Sequence, residues 1–372
     1  MNKLRALTAA RDPEGMPGYV ARITVLVSAM TVLASSAPPL AAPATPALTI
    51  AGPSFAVDGR SRFLLLVSYF DALRASDASL DADFAFLRRQ GLDGVRIFPN
   101  WWLCAAERQC GGHPGGDTLF EAGSGRVRPD RLARLRQVLD AAGRHGLIVD
   151  LSFARETVRD TGAAPGLSPA AYGDALAATL RALADGYPHV MVDLQNEIDQ
   201  NHLFARDAAA DARQLAALAK RVAPPGRIVF ASTNEADAEL VTYCGTSGPC
   251  PAGARPLDVL AVHDARAANW HDRTPTAVRA LRALGARRGE KPVYLQEPFA
   301  WQDERAPDRL ERFLDAAARA KRAGAAAWTF HTRSAFILRD GRSLTGQLDP
   351  DQRAFLERVR ARVDGRTPAA AK

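Results

Sequence analysis

A chain of 372 residues with 47% hydrophobic side chains can bury one large α/β core, which excludes global disorder. The formal net charge of +7 comes almost wholly from arginines scattered among acids. No run of them is dense enough to follow a nucleic-acid backbone, so no nucleic-acid partner is expected.

The chain opens with a charged stretch through Arg22, then an apolar run over 23–34, then small residues and prolines to Pro46. That order predicts a signal peptide and cleavage region over 1–44, with cleavage near 41–44 and Met16 as an alternative start. A permanent membrane anchor is the rival. The apolar run is short for a span, and Pro38 and Pro39 break it, so no stable membrane insertion is expected after cleavage. Residues 45–54 read as a linker. Secreted or periplasmic localisation follows, and an oxidising compartment bears on the four cysteines. They form two local pairs, Cys104 with Cys110 and Cys244 with Cys250. Two small disulfide loops are the simplest of three connectivities. A metal site is the weaker rival, because neither pair is CxxC and no histidine cluster adjoins them.

Eight short, nearly continuous apolar runs follow, as parallel strands buried on both faces require. They lie at 63–70, 94–98, 147–152, 190–196, 227–232, 258–263, 292–297 and 325–330. Helical stripes fall between them. Leu80, Phe84 and Leu87 share a face ahead of Gly91. Leu132, Leu135, Leu139 and Ala142 repeat the pattern, with Asp130 placed to cap the start. Leu310, Phe313, Leu314 and Ala317 repeat it again before Gly324, and a last helix is expected over 351–363. Eight such units predict an α/β fold, a (β/α)8 TIM barrel forming a single catalytic domain over 55–364, with a flexible tail at 365–372. A doubly wound sheet is the alternative. It lacks support because the first strand ends in Ser68-Tyr69-Phe70-Asp71 and not in a glycine-rich phosphate loop.

Barrel enzymes carry their chemistry at the C-terminal strand ends. The fourth strand ends in LQNEID and the seventh in VYLQEPF, so Glu197 and Glu297 stand at the mouth three strands apart. Two carboxyls that can approach each other are what glycoside hydrolysis needs. Adjacent strand residues face opposite ways, so the fourth strand must bulge or twist for Asn196 and Glu197 both to enter the site. Asn234-Glu235 also follows a strand, but Ser232 and Glu235 fit a helix capping box. Asp150 and Asp193 lie mid-strand and read as parts of a buried polar network.

These motifs resemble glycoside hydrolase clan A, and within it the cellulase family, glycoside hydrolase family 5. The resemblance spans roughly residues 55–363 and implies roles at matching positions. Glu197 is then the acid/base and Glu297 the nucleophile. Asn196 bonds the sugar 2-hydroxyl. Arg96, in GVRIFPNWW, keeps Glu297 ionised; pairing with a structural acid such as Asp193 is its rival role. His263, in LAVHDAR, lines the nucleophile's side, with a core histidine as the rival. Trp328, in AAAWTF, forms the floor beside the cleaved bond. Two positions depart from the family pattern. Ser152 stands where a histidine is usual, and Ala265 where a tyrosine donates to the nucleophile, with Tyr69 or His271 as substitutes. All five tryptophans lie at strand ends; Trp101 and Trp102 suit the core, while Trp270 and Trp301 are the better cleft candidates. The implied activity is retaining hydrolysis of a β-linked oligo- or polysaccharide by a monomer, without metal or organic cofactor. A catalytically weak or silent carbohydrate-binding barrel is the alternative. A metal-dependent hydrolase would need a histidine or carboxylate cluster at the strand ends, and none is evident in the sequence.

Overall fold

The computed structural model describes residues 45–100, 118–121, 123–154, 167–199, 208–234, 257–263, 269–287, 291–332, 336, 338 and 342–366. The expected signal region, all four cysteines, Trp101, Trp102, Glu235 and Ala265 lie outside the described residues.

The segment expected to be a linker is instead the start of a three-stranded antiparallel sheet, β1 (Leu48–Ala51), β2 (Ser54–Val57) and β3 (Arg60–Arg62). Asp58 and Gly59, at φ 51° and 75°, form a tight two-residue turn between β2 and β3. Two positive φ values are what such a hairpin needs to follow the strand twist. The sheet is ordered because Leu48 and Phe55 are 5% and 0% exposed against the lower barrel interior. Burying a side chain such as Phe55 contributes about 1.5–3 kcal/mol.

The barrel strands follow: β4 (Leu64–Ser68), β5 (Gly94–Ile97), β6 (Ile148–Ser152), β7 (Val190–Asp193), β8 (Val229–Phe230), β9 (Leu260–His263), β10 (Val293–Glu297) and β11 (Ala327–Phe330). All pair in parallel, in the order β8-β7-β6-β5-β4-β11-β10-β9. A parallel bridge from Thr233 to Val262 joins the two ends, so the sheet closes into a (β/α)8 barrel. The described helices are α1 (Asp77–Arg89), α2 (Pro129–Arg144), α3 (Pro169–Ala182), α4 (Ala208–Val222), α5 (Trp270–Arg287), α6 (Arg309–Ala323) and α7 (Pro350–Val363). None is long and apolar enough to cross a membrane.

Local chemistry accounts for several helix ends. Ser76 and Ser168 accept from the backbone three residues on, and Asp349 with Gln352 forms a capping box. Asp130 is not the expected cap. Pro129 takes the first helical turn, Arg128 is the capping position, and Asp130 adds a negative charge at the helix N-terminus. Gly91 adopts φ 77° after α1, where a Cβ would come within 2.9 Å of Arg360.

Strand alternation divides the barrel interior into two layers. Below, Leu64, Leu66, Ile148, Met191, Phe230 and Tyr294 pack on Phe55. Above them the inward positions turn polar and remain buried: Ser68, Arg96, Asp150, Ser152, Asp193 and Gln296 are all 0% exposed. That upper layer carries the candidate site.

Candidate active site

Two backbone irregularities aim the carboxylates. In β10, Leu295 pairs with Val262 and Glu297 with His263, so Gln296 is an extra residue in the ladder. The bulge lets Gln296 and Glu297 both face the barrel axis, which regular alternation forbids. After β7 the chain leaves the strand, and Glu197 takes φ 49°. Non-glycine residues uncommonly adopt that left-handed conformation, so the surrounding contacts must hold it there. Ser232 supports the turn. Its hydroxyl donates to Asp193 at 2.9 Å and accepts the Glu197 N–H at 3.2 Å. Ser232, expected to cap a helix, thus ties β8 to this turn.

Arg96 is the hub. One guanidinium nitrogen donates to Glu297 Oε1, another to Asn196 Oδ1 at 2.6 Å, and Nε to Ser152 Oγ at 2.8 Å. Asp150 and Asp193 each lie 3.7 Å away. The rings of Phe70 and Phe98 stand 5.1 and 4.8 Å from the guanidinium carbon. Burial opposes the charge on Arg96, but Glu297, Asp150 and Asp193 outweigh it and hold the pKa above the ordinary value. Burial also raises both aspartates, each against the opposing charge of Arg96, and Asp150 reaches about 6 with Asp193 adding to the rise. Arg96 therefore serves Glu297 and the structural acids together. Ser152, at the position where the resemblance expects a histidine, is one of its anchors.

Gln296 directs its amide N–H groups to Asp150 at 2.8 Å and Asp193 at 3.1 Å. Its Oε1 must then accept from His263 Nε2, 2.9 Å away. The other ring nitrogen, Nδ1, lies 2.9 Å from Glu197 Oε1 and 3.6 Å from Glu297 Oε2. Burial lowers the imidazole pKa, but Glu297 and Glu197 more than offset this and hold it above the ordinary value. His263 is thus no passive core histidine. Glu197, His263 and Glu297 each offer a ligand atom within 4.8 Å of the others, so these three could hold a metal ion. The Arg96 guanidinium already supplies positive charge there. The Glu197 side chain is 24% exposed and the Glu297 side chain 8%, so one carboxyl meets water and the other is shielded.

Alternation moves other expected site residues away. Tyr69 faces outward from β4 and donates to Asp83 on α1 at 2.9 Å. Trp328 has the wrong parity on β11 to form a floor; it is 0% exposed among Phe313 and Phe355. Trp270 stacks on Phe299 and donates to Glu304, while Trp301 packs on Phe313 and Phe330, and both are 0% exposed. None of the three presents a face to a sugar. His271, on α5, accepts from Arg312 at 3.2 Å. One residue not singled out from the sequence does reach the site. His331, just beyond β11, places Nε2 3.3 Å from Glu297 Oε2. Its available signal was parity, two residues past inward-facing Thr329.

No family model matches the chain, and no curated protein matches it. Solved structures do match. A variant of a GH5_18 protein from Bifidobacterium longum subsp. longum ATCC 55813, in complex with Manβ1-4GlcNAc, superposes with TM-score 0.53 at 16% identity, over 83% of this chain and 80% of that one. The endo-1,4-β-mannanase from Rhizomucor miehei gives 0.56 at 11% identity over 86% and 99%. The β-mannanase from blue mussel, Mytilus edulis, gives 0.53 at 16% identity over 88% and 99%. The likeness to clan A glycoside hydrolases read from the strand ends therefore extends to the fold, a (β/α)8 barrel shared with these proteins.

Proposed function

We propose that the chain is a retaining β-glycoside hydrolase of the family 5 kind, acting on a β-mannosidic glycan. One observation carries the reading: an oxygen of Glu197 and an oxygen of Glu297 lie within 4.8 Å at the barrel mouth. Carboxyls about 5 Å apart suit double displacement, whereas inversion needs ~6.5–9.5 Å to admit a water between them. The mannosidic choice is supported by the fold's neighbours, two β-mannanases and a GH5_18 protein bound to Manβ1-4GlcNAc.

Each group then has a step. Arg96 keeps Glu297 anionic, and Glu297 attacks the anomeric carbon as Glu197 protonates the departing oxygen. His263 has its Nε2 proton committed to Gln296, so its 2.9 Å contact with Glu197 can hold one proton between imidazole and carboxyl. Glu197 then removes a proton from the water that releases the sugar. We also assign 1–44 to export, which makes the mature protein secreted or periplasmic. Cys104–Cys110 and Cys244–Cys250 are then local disulfides, testable by alkylation and intact mass of the exported protein.

The test separates the two glutamates by leaving group, using 2,4-dinitrophenyl β-mannoside with azide. Glu197→Ala should stop hydrolysis of natural glycans, accumulate glycosyl-enzyme on the activated substrate, and yield β-mannosyl azide. Glu297→Ala should lose turnover by on the order of 10⁵-fold and yield the α-azide. An α-azide from the Glu197 variant reverses the roles. Full activity in either variant rules out the mechanism, and an inert wild type favours a silent binding barrel.

A further inference from the structure

Ser68 and His331 reach the barrel mouth on adjacent strands, and no step above uses them. His331 is 3% exposed. Its Nδ1 lies 3.0 Å from Ser68 Oγ and its Nε2 3.3 Å from Glu297 Oε2. The ring lies against Phe70, with centroids 5.9 Å apart. The backbone is pinned as well: His331 bridges to Ala300, and its carbonyl accepts the Trp301 N–H at 3.0 Å. Those residues follow Glu297 by only a few positions, so the strand pairing itself sets the distance between imidazole and carboxylate.

A neutral imidazole donates at one nitrogen and accepts at the other. The Ser68 hydroxyl can donate to Nδ1, which places the ring proton on Nε2, facing Glu297. Glu297 then has a hydrogen bond from Arg96 on Oε1, from β5, and the His331 Nε2 at ion-pair distance, 3.3 Å, from Oε2, at the end of β11. Two such contacts from separate strands fix the rotation of the carboxylate as well as its charge. Among the described residues, Glu197 and His263 are the other charged or titratable groups facing this carboxylate; Asp150 and Asp193 act on it from below, through Arg96.

We propose that His331, set in its tautomer by Ser68, is a positioning residue that holds the Glu297 carboxylate ionised and oriented for attack. The proposal rests on the glycosidase reading. It brings from the end of β11 a ring nitrogen to 3.3 Å from the carboxylate that the resemblance expects a tyrosine at position 265 to serve, where this chain has alanine. A donor to the carboxylate favours the anion as nucleophile, and again as leaving group when the glycosyl ester is hydrolysed. The loss on removing it should therefore fall on kcat more than on KM.

The experiment combines turnover of 2,4-dinitrophenyl β-mannoside with covalent labelling by 2-deoxy-2-fluoro-β-mannosyl fluoride, read by intact mass and peptide mapping. His331→Phe keeps a ring against Phe70 and deletes the donor. Labelling at Glu297 should slow about 10- to 100-fold, as expected for a lost hydrogen bond to a charged group. The acidic limb of kcat/KM should move to higher pH, because the anion has lost a stabilising donor. His331→Gln restores an N–H and should recover most of the rate and the limb. Ser68→Ala should give a smaller loss in the same direction, and no further loss when added to His331→Phe. Labelling at the wild-type rate with an unmoved acidic limb in His331→Phe overturns the proposal. So do equal losses in the Phe and Gln variants, which would assign the effect to ring shape. If His331→Phe does not fold, the Ser68→Ala pH profile decides in the same terms. A wild type that takes no label on Glu297 overturns the glycosidase reading itself, whatever the His331 variants do.

Discussion

Both ends of the barrel bury an arginine–carboxylate cluster, and the two are built in opposite senses. At the C-terminal end a single guanidinium, Arg96, faces three carboxylates, Glu297, Asp150 and Asp193. At the N-terminal end one buried carboxylate, Asp93, faces two guanidinium groups, Arg62 and Arg360, and also accepts the Leu65 N–H at 2.8 Å, while the more exposed Asp364 lies 3.7 Å from Arg360. The difference that matters is access to water. The Arg62 side chain is 38% exposed and that of Arg360 13%, so excess charge at the base is solvated. Arg96, Asp150 and Asp193 are all 0% exposed, so the upper cluster relieves its excess negative charge only by taking up a proton or by reorganising around a ligand. A cluster of that kind suits chemistry, and the lower one suits stability.

The base is also basic for a reason that needs no ligand. Helix C-termini point toward it, and Arg88, Lys321, Arg360 and Arg362 occupy last turns there, where cations offset the helix dipole. Arg60, Arg88 and Arg282 line a cavity of about 1310 Å³ on this face, far along the chain from one another.

The comparison can be broken at either end. The largest expected effect on catalysis is at the top. Arg96→Met should reduce turnover by on the order of 10³ and move the acidic limb of the pH–rate profile upward. An unchanged profile with normal turnover would make Arg96 structural, and the two clusters would no longer differ in kind. At the base, Asp93→Ala removes one partner from each of two partly solvated arginines and leaves the Leu65 N–H without its acceptor, which should cost about 1–3 kcal/mol in denaturant unfolding. Its kcat/KM per folded molecule should stay at the wild-type value; a selective loss of activity would place the base in the catalytic machinery.

A subtler test uses pH. Burial lifts Asp150 from the ordinary 3.8 to about 6. The folded state then binds this proton more tightly than the unfolded state, so its contribution favours folding below about pH 4 and fades as the pH rises to about 6. Asp150→Asn should remove that decline. The Tm of wild type minus that of the variant should fall across this window and level off above it. A difference that is flat across the window would show that burial does not raise the Asp150 pKa. The smallest effect belongs to Arg88→Ala on the basic face, within about 0.5 kcal/mol of wild type. A larger loss would mean that the base depends on more than the Asp93 pairs.

The sequence alone determined the barrel and the placing of Glu197 and Glu297 at strand ends. Eight apolar runs at βα spacing leave few other architectures, and a carboxylate at a strand end is visible wherever the strand is. It did not show which way the other side chains face. In their lower halves these strands are apolar on both faces, so alternation carries an inside-or-outside signal only where inward polar residues such as Asp150 and Ser152 begin. Tyr69 and Trp328 were therefore expected at the mouth and His331 was not singled out, and barrel closure sent the first two outward and the third towards Glu297. The bulge at Gln296 and the left-handed turn at Glu197 were likewise set by pairing across strands, because both are properties of a ladder and not of a segment. The sheet beneath the barrel was hidden for a related reason. Its strands are three or four residues long, and Phe55 becomes core only when eight distant strands close above it.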